Sequence, residues 1–252
     1  MESSAVPTIQ FQDTGRIFAG AWALRHVNAT LLPGSVYAVL GANGAGKSTL
    51  LRLMAGWLPA SEGRICLGPS FMRPTAIHLR RKVMLLDDTS GDRKAELSSP
   101  VDDLCQLVRD YHAERAGIED EIANWFERLR LVPVSRSKRG EMSKGQAYKI
   151  AMVGLFAIAP PIWLLDEPFS AGLDAEGLQI LENQIREHAE RGGTVIFSSQ
   201  WPEHARRLAD GALVLHEGKL VWSGVPDEKP NDELTDSAAP ALQAVLQGLG
   251  PS

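Results

Sequence analysis

The chain has 252 residues, 44% of them hydrophobic and 23% charged, with a formal net charge of −5. That length suits one large α/β domain, with or without an inserted subdomain, and the acidic balance argues against a general electrostatic grip on nucleic acid. Cys66 and Cys105 match no metal or redox spacing. The longest apolar run, residues 155–165, is broken by Pro160 and Pro161 and is too short to span a bilayer, which needs about 20 apolar residues. The chain is therefore expected in the cytoplasm, and any membrane part is expected on another chain. Arg80, Arg81 and Lys82 form a local basic cluster that reads as a solvated surface.

In chain order, short β-rich runs are expected as strands at 8–12, 36–40, 64–67, 83–87, 162–166, 194–198, 212–216 and 219–223. They alternate with helical patterns, as in a mainly parallel sheet covered by helices. Three of the runs (36–40, 162–165 and 194–197) are almost wholly apolar, as strands buried on both faces are. From about 97 to 158 the texture changes to helical spacing without strands. Leu104, Leu107, Val108 and Tyr111 repeat at helical spacing, as do Ile122, Trp125, Phe126 and Leu129. This segment is expected to be a helical subdomain inserted into a single domain of residues 1–225. The polar stretch 87–99 is expected to be a hinge loop. Residues 226–252 read as a tail in which Leu242, Val245, Leu246 and Leu249 could form one last amphipathic helix.

Two motifs carry chemistry. After the expected strand 36–40, Gly41, Ala42, Asn43, Gly44, Ala45, Gly46, Lys47 and Ser48 fit the phosphate-loop pattern and open a helix over 47–55. The glycines let successive amides turn inward toward phosphate oxygens, and the helix N-terminus adds partial positive charge. Lys47 is expected at the β- and γ-phosphates, Ser48 at Mg²⁺ and Thr49 at the α-phosphate. The second motif is the apolar strand from Ile162 that ends in Asp166 and Glu167. Asp166 is placed to serve the Mg²⁺ shell, and Glu167 to polarise an attacking water as general base.

Met142, Ser143, Lys144, Gly145 and Gln146 resemble the signature motif of ATP-binding cassette proteins, with lysine at the usual middle glycine. Residues 170–174, ending in Asp174, resemble that family's D-loop, and Gly34 and residues 60–63 also resemble family positions. The resemblance covers about 6–224. It implies a head-to-tail sandwich dimer in which Ser143, Lys144, Gly145 and Gln146 serve the γ-phosphate of the partner's ATP. The partner is a second cassette, identical or different. The resemblance further implies an ATPase subunit at the cytoplasmic face that drives a separate integral membrane permease. The lysine at 144 suggests an exporter. Phe18 is the expected adenine-stacking ring, with Trp22 its rival. Two departures stand out. The family's switch histidine falls at Gln200, with His204 as a surface alternative, and its Q-loop glutamine falls near Asp88, a candidate for catalysis and metal. Alternative readings are a soluble cassette ATPase of translation or DNA repair, and a non-transport ATP-binding regulator.

Overall fold

The computed structural model describes residues 6–87, 100–112, 116–135 and 142–225. Asp88, most of the expected hinge loop and the whole expected tail helix lie outside the described residues. The chain divides into two compact units. The first comprises residues 1–85, 161–166 and 185–252, and the second 86–160 and 167–184.

The first unit holds two sheets. The smaller has four strands in the order β2-β1-β4-β5. They are β1 (Ile9–Phe18), β2 (Ala21–Leu31), β4 (Glu62–Leu67) and β5 (Ser70–Phe71). β1 and β2 pair antiparallel, with Phe18 opposite Ala21. Their two-residue turn has Ala19 at φ 47° and Gly20 at φ 85°. Two left-handed residues in succession match the right-handed twist of paired strands. Sequence patterning overlooked β2 and β5. In β2 the apolar Leu24, Val27 and Leu31 are buried, but their spacing is not strict alternation. His26 (φ 53°), and Asp13 (φ 51°) on β1, take left-handed backbone beside register shifts. Such irregularities insert extra residues and break the period of two.

The larger sheet has the order β10-β9-β3-β8-β7-β6. Its strands are β3 (Val36–Leu40), β6 (Val83–Leu86), β7 (Ile162–Leu165), β8 (Thr194–Ser199), β9 (Gly211–His216) and β10 (Lys219–Gly224). β3 pairs parallel with β8 and β9, and β7 parallel with β8, while β10 closes the edge antiparallel to β9. β7 and β8 are buried along their whole length. A strand covered on both faces has no polar side to alternate with, hence its continuous apolar run. α1 (Lys47–Met54) follows β3 and buries Leu50, Leu51, Leu53 and Met54, each worth roughly 2 kcal/mol of apolar transfer. α2 (Ile77–Arg80) is one turn, and α7 (Pro202–Leu208) links β8 to β9.

The second unit packs α3 (Pro100–Tyr111), α4 (Ile118–Arg128) and α5 (Lys144–Ile158) on one another. Within it, Ile122, Trp125, Phe126 and Leu129 are buried at the expected helical spacing, as are Leu104 and Val108. Leu107 departs from the pattern and is 43% exposed. The Trp125 and Phe156 rings lie 4.8 Å apart, which places α5 against α4. The unit border at 184–185 falls inside α6 (Ala175–Glu190).

Candidate functional site

In the first unit the site begins where the parallel strands end. The ladder pairs Leu40 of β3 with Ser199 of β8, and Leu165 of β7 with Phe197. Gly41, Asp166 and Gln200 therefore leave the sheet at the same edge, on strands about 4.8 Å apart. Gly41, Gly44 and Gly46 have φ of 153°, 82° and 105°, so the loop follows a path that L side chains resist. Space matters as well. A Cβ at Gly41 would lie 2.4 Å from the Leu215 carbonyl oxygen, and one at Gly46 would lie 2.7 Å from that of Ala23.

Lys47 starts α1 and is 5% exposed. Its ammonium donates to the carbonyl oxygens of Gly41 (2.8 Å) and Ala42 (3.1 Å). The side chain folds back along its own loop and holds one positive charge at the loop's centre. Asn43 and Gly44 are exposed, Ala45 is buried, and Ser48 and Thr49 are half-buried on the first helical turn. This strand, glycine loop and helix can bind an anion through backbone amides, the helix dipole and one ammonium.

Asp166 is 9% exposed and accepts a 2.6 Å hydrogen bond from the Ser198 hydroxyl. Ser198 was missed at the level of sequence. Its only signal is the pair of serines that ends an otherwise apolar buried strand. The hydroxyl orients one carboxylate oxygen and satisfies it in a buried place where an unpaired charge is costly. Ser48 and Asp166 together supply a hydroxyl and a carboxylate, the hard-oxygen donors that Mg²⁺ takes alongside phosphate and water.

Phe18 ends β1 with 41% of its surface exposed and the Arg16 guanidinium 4.7 Å from its ring centre. Trp22 is half-buried, with its ring against Gly15 and the Arg25 guanidinium 5.0 Å from its centre. Gln200 is exposed in the bend after β8. It does not cap α7: the N-cap of that helix is Trp201, whose amide is held by the Ser199 hydroxyl at 3.0 Å. His204 corrects an expectation. It is half-buried rather than on the surface, and its Nδ1 lies 2.9 Å from the Ser199 oxygen. Burial, followed by the nearby Arg207, holds its pKa below the usual histidine value.

In the second unit, Glu167 has φ 48°, an uncommon conformation for a residue with a side chain and a strain often stored at functional sites. Its carbonyl accepts from the Ser170 amide at 3.0 Å. Ser143 caps α5 reciprocally with Gln146: the Gln146 amide donates to the Ser143 oxygen (3.2 Å) and the Ser143 amide to Gln146 Oε1 (2.9 Å). This capping box aligns the start of the helix, and it occupies the Gln146 side chain inside the turn. Ser143 and Lys144 are exposed, whereas Gly145 is buried. Asp174 is exposed, and both of its carboxylate oxygens already accept hydrogen bonds. One carboxylate oxygen accepts from the Gly177 amide and the other from Lys149, each at 2.8 Å. Asp87, beside the expected Asp88, is 1% exposed.

A parallel sheet with a lysine-bearing glycine loop at its edge, next to a strand ending in Asp166, defines a phosphate-loop nucleotide-binding protein. Residues 24–170 match the family described as ABC transporter. The chain is 31% identical to the sulfate/thiosulfate import ATP-binding protein CysA of Brucella melitensis biotype 1 over 219 residues, which are 85% of this chain and 61% of that protein's length. It is 32% identical over 182 residues to the cytochrome c biogenesis ATP-binding export protein CcmA of Pseudomonas savastanoi pv. phaseolicola, covering 71% of this chain and 82% of that one. A solved structure described as the ATP binding subunit of an ABC transporter shares the fold with a TM-score of 0.79 at 24% identity, covering 87% of this chain and 90% of that chain. The chain belongs to the ATP-binding cassette transporter family, whose ATP-binding domains hydrolyse ATP.

Proposed function

We propose that the chain is the ATP-hydrolysing subunit of an ABC transporter that dimerises around ATP to drive a separate membrane permease. The observation that carries this reading is the phosphate loop, with the buried Lys47 ammonium on Gly41 and Ala42 at the edge where Asp166 leaves its strand. The amides of Gly44, Gly46 and Lys47 cradle the phosphates, and Phe18 stacks on the base. Ser48 and Asp166 hold Mg²⁺, which neutralises phosphate charge when bound. Glu167 takes a proton from the attacking water. Among the described residues no helix is long and apolar enough to cross a membrane, and a permease partner at the cytoplasmic face supplies that part of the system.

The exposed Ser143 and Lys144 at the start of α5 support the dimer. The first amides of a helix have no intrahelical acceptor and favour anions, so this turn suits the γ-phosphate of a second cassette's ATP. Ser143→Arg tests it. The variant chain should bind ATP as wild type does while ATP-dependent dimerisation and hydrolysis are lost, measured by size exclusion and phosphate release. Loss of ATP binding by the monomeric variant would contradict the arrangement. Export is supported by Lys144 and by the likeness to a relative described as an export protein; the likeness to an import protein points the other way. Transport into inverted vesicles that carry the permease separates the two directions. Cross-linking in native membranes should capture a hydrophobic permease, and capture of ribosomes or DNA would overturn the transport reading.

Gln200 sets the expected rate. Its amide can donate to a γ-phosphate but carries no charge, and charge-assisted hydrogen bonds are about twice as strong as neutral ones. Turnover in the homodimer is therefore expected to be slow, with Gln200→His raising it about tenfold and Gln200→Ala lowering it. Equal rates for all three chains would remove Gln200 from the site.

A further inference from the structure

We propose that Lys149 is a positioning residue that fastens the Ser143–Gln146 turn to the loop ending at Asp174 and to the end of α4, so that the two loop segments present to a partner nucleotide as one body. All the groups involved belong to the second unit. The Lys149 side chain is 9% exposed, whereas that of Asp174 is 57% exposed. From the middle of α5 its ammonium donates to Asp174 Oδ2 at 2.8 Å and to the Leu129 carbonyl oxygen at 3.1 Å. One cation thus ties three segments. Asp174 divides its two oxygens between this ammonium and the Gly177 amide that starts α6. Lys149, and then that amide, hold the Asp174 carboxyl below its ordinary pKa, so Asp174 is ionised at neutral pH.

Two glycines show how closely the segments meet. A Cβ on Gly145, in the first turn of α5, would lie 2.2 Å from the Gly172 carbonyl oxygen. A Cβ on Gly177 would lie 2.8 Å from Lys149 Cε and 2.9 Å from Asp174 Oδ1. The signature turn and the 170–174 loop therefore touch backbone to backbone at one point and are locked by the ion pair at another. Ser143 lies six residues before Lys149, about 9 Å along the helix. A shift of α5 against the loop would have to pull the nearly buried Lys149 ammonium away from its acceptors on Asp174 and Leu129, and a buried charge without partners is costly.

The inference rests on the reading that the Ser143 turn serves a second cassette's ATP, and the experiment separates the two. In the Glu167→Gln background, ATP-dependent dimerisation is measured for Lys149→Met, Lys149→Arg and Ser143→Arg, with ATP affinity and thermal unfolding measured on each chain. Turnover is measured on the same substitutions in the otherwise wild-type chain. Methionine keeps the apolar stem and drops the charge. Lys149→Met should leave ATP affinity within about twofold and weaken both dimerisation and kcat about tenfold, with Lys149→Arg close to wild type. Wild-type dimerisation and kcat in Lys149→Met, with Ser143→Arg disabled, overturn the positioning role alone. If Ser143→Arg also dimerises normally, the sandwich reading falls. A Lys149→Met chain that no longer unfolds cooperatively reduces the lysine to a fold contact, which overturns the proposal as well.

Discussion

Replacing Glu167 with glutamine is expected to lower ATP turnover by about 10²–10⁴-fold while leaving ATP bound, the range that a positioned general base contributes. The side chain keeps its length and loses the basic oxygen. Its backbone at φ 48° is set by the residues around it, and the amide has no reason to relax that strain. The Pro168–Ser170 turn that follows, with its 3.0 Å hydrogen bond from the Ser170 amide to the Glu167 carbonyl, is indifferent to the substitution. Because hydrolysis would end the ATP-bound state, the variant should accumulate as an ATP-dependent dimer on size exclusion. Phosphate release at the wild-type rate would show that another group takes the proton.

Lys47→Ala should lose ATP affinity by about 10²-fold, and the structure supplies two reasons. Hydrogen bonds to a charged group are worth roughly 1.5–3 kcal/mol each, and the Lys47 ammonium makes two of them, to Gly41 and Ala42. Their loss frees a loop whose glycine dihedrals are costly to hold open. The substitution also removes the one side-chain cation that this loop offers to phosphate. Two such contributions amount to about 3 kcal/mol, or roughly a hundredfold in Kd. Binding of a fluorescent ATP analogue measures this, with circular dichroism to show that the sheet persists. An affinity within about threefold of wild type would mean that the backbone amides alone carry the phosphates. Lys47→Arg separates charge from shape: it keeps the charge, but its planar guanidinium cannot occupy the same pocket as a compact ammonium.

The phosphate loop was legible in the sequence because its determinants are local. Eight consecutive residues contain the glycines that take positive φ, the lysine and the helix start, and no distant contact is needed to recognise them. The same holds for Asp166 and Glu167 at the end of an apolar run, and for the five consecutive residues from Met142 to Gln146. Helical spacing likewise announced α3 and α4. Irregular backbone at Asp13 and His26 hid β2, since period-two patterning fails wherever an extra residue enters the ladder.

Only the tertiary structure decided which side chains meet across long separations. Ser198 reaches Asp166 over 32 residues because β7 and β8 are adjacent and in a particular register. Lys149 reaches Asp174 over 25 because α5 crosses the loop before α6. His204 turned from a surface residue into a half-buried partner of Ser199. Dihedral preference and helix capping are properties of a few neighbouring residues, so they can be read along the chain. Register and helix crossing depend on how buried surfaces far apart in sequence fit together, and the fit exists only once the chain has folded.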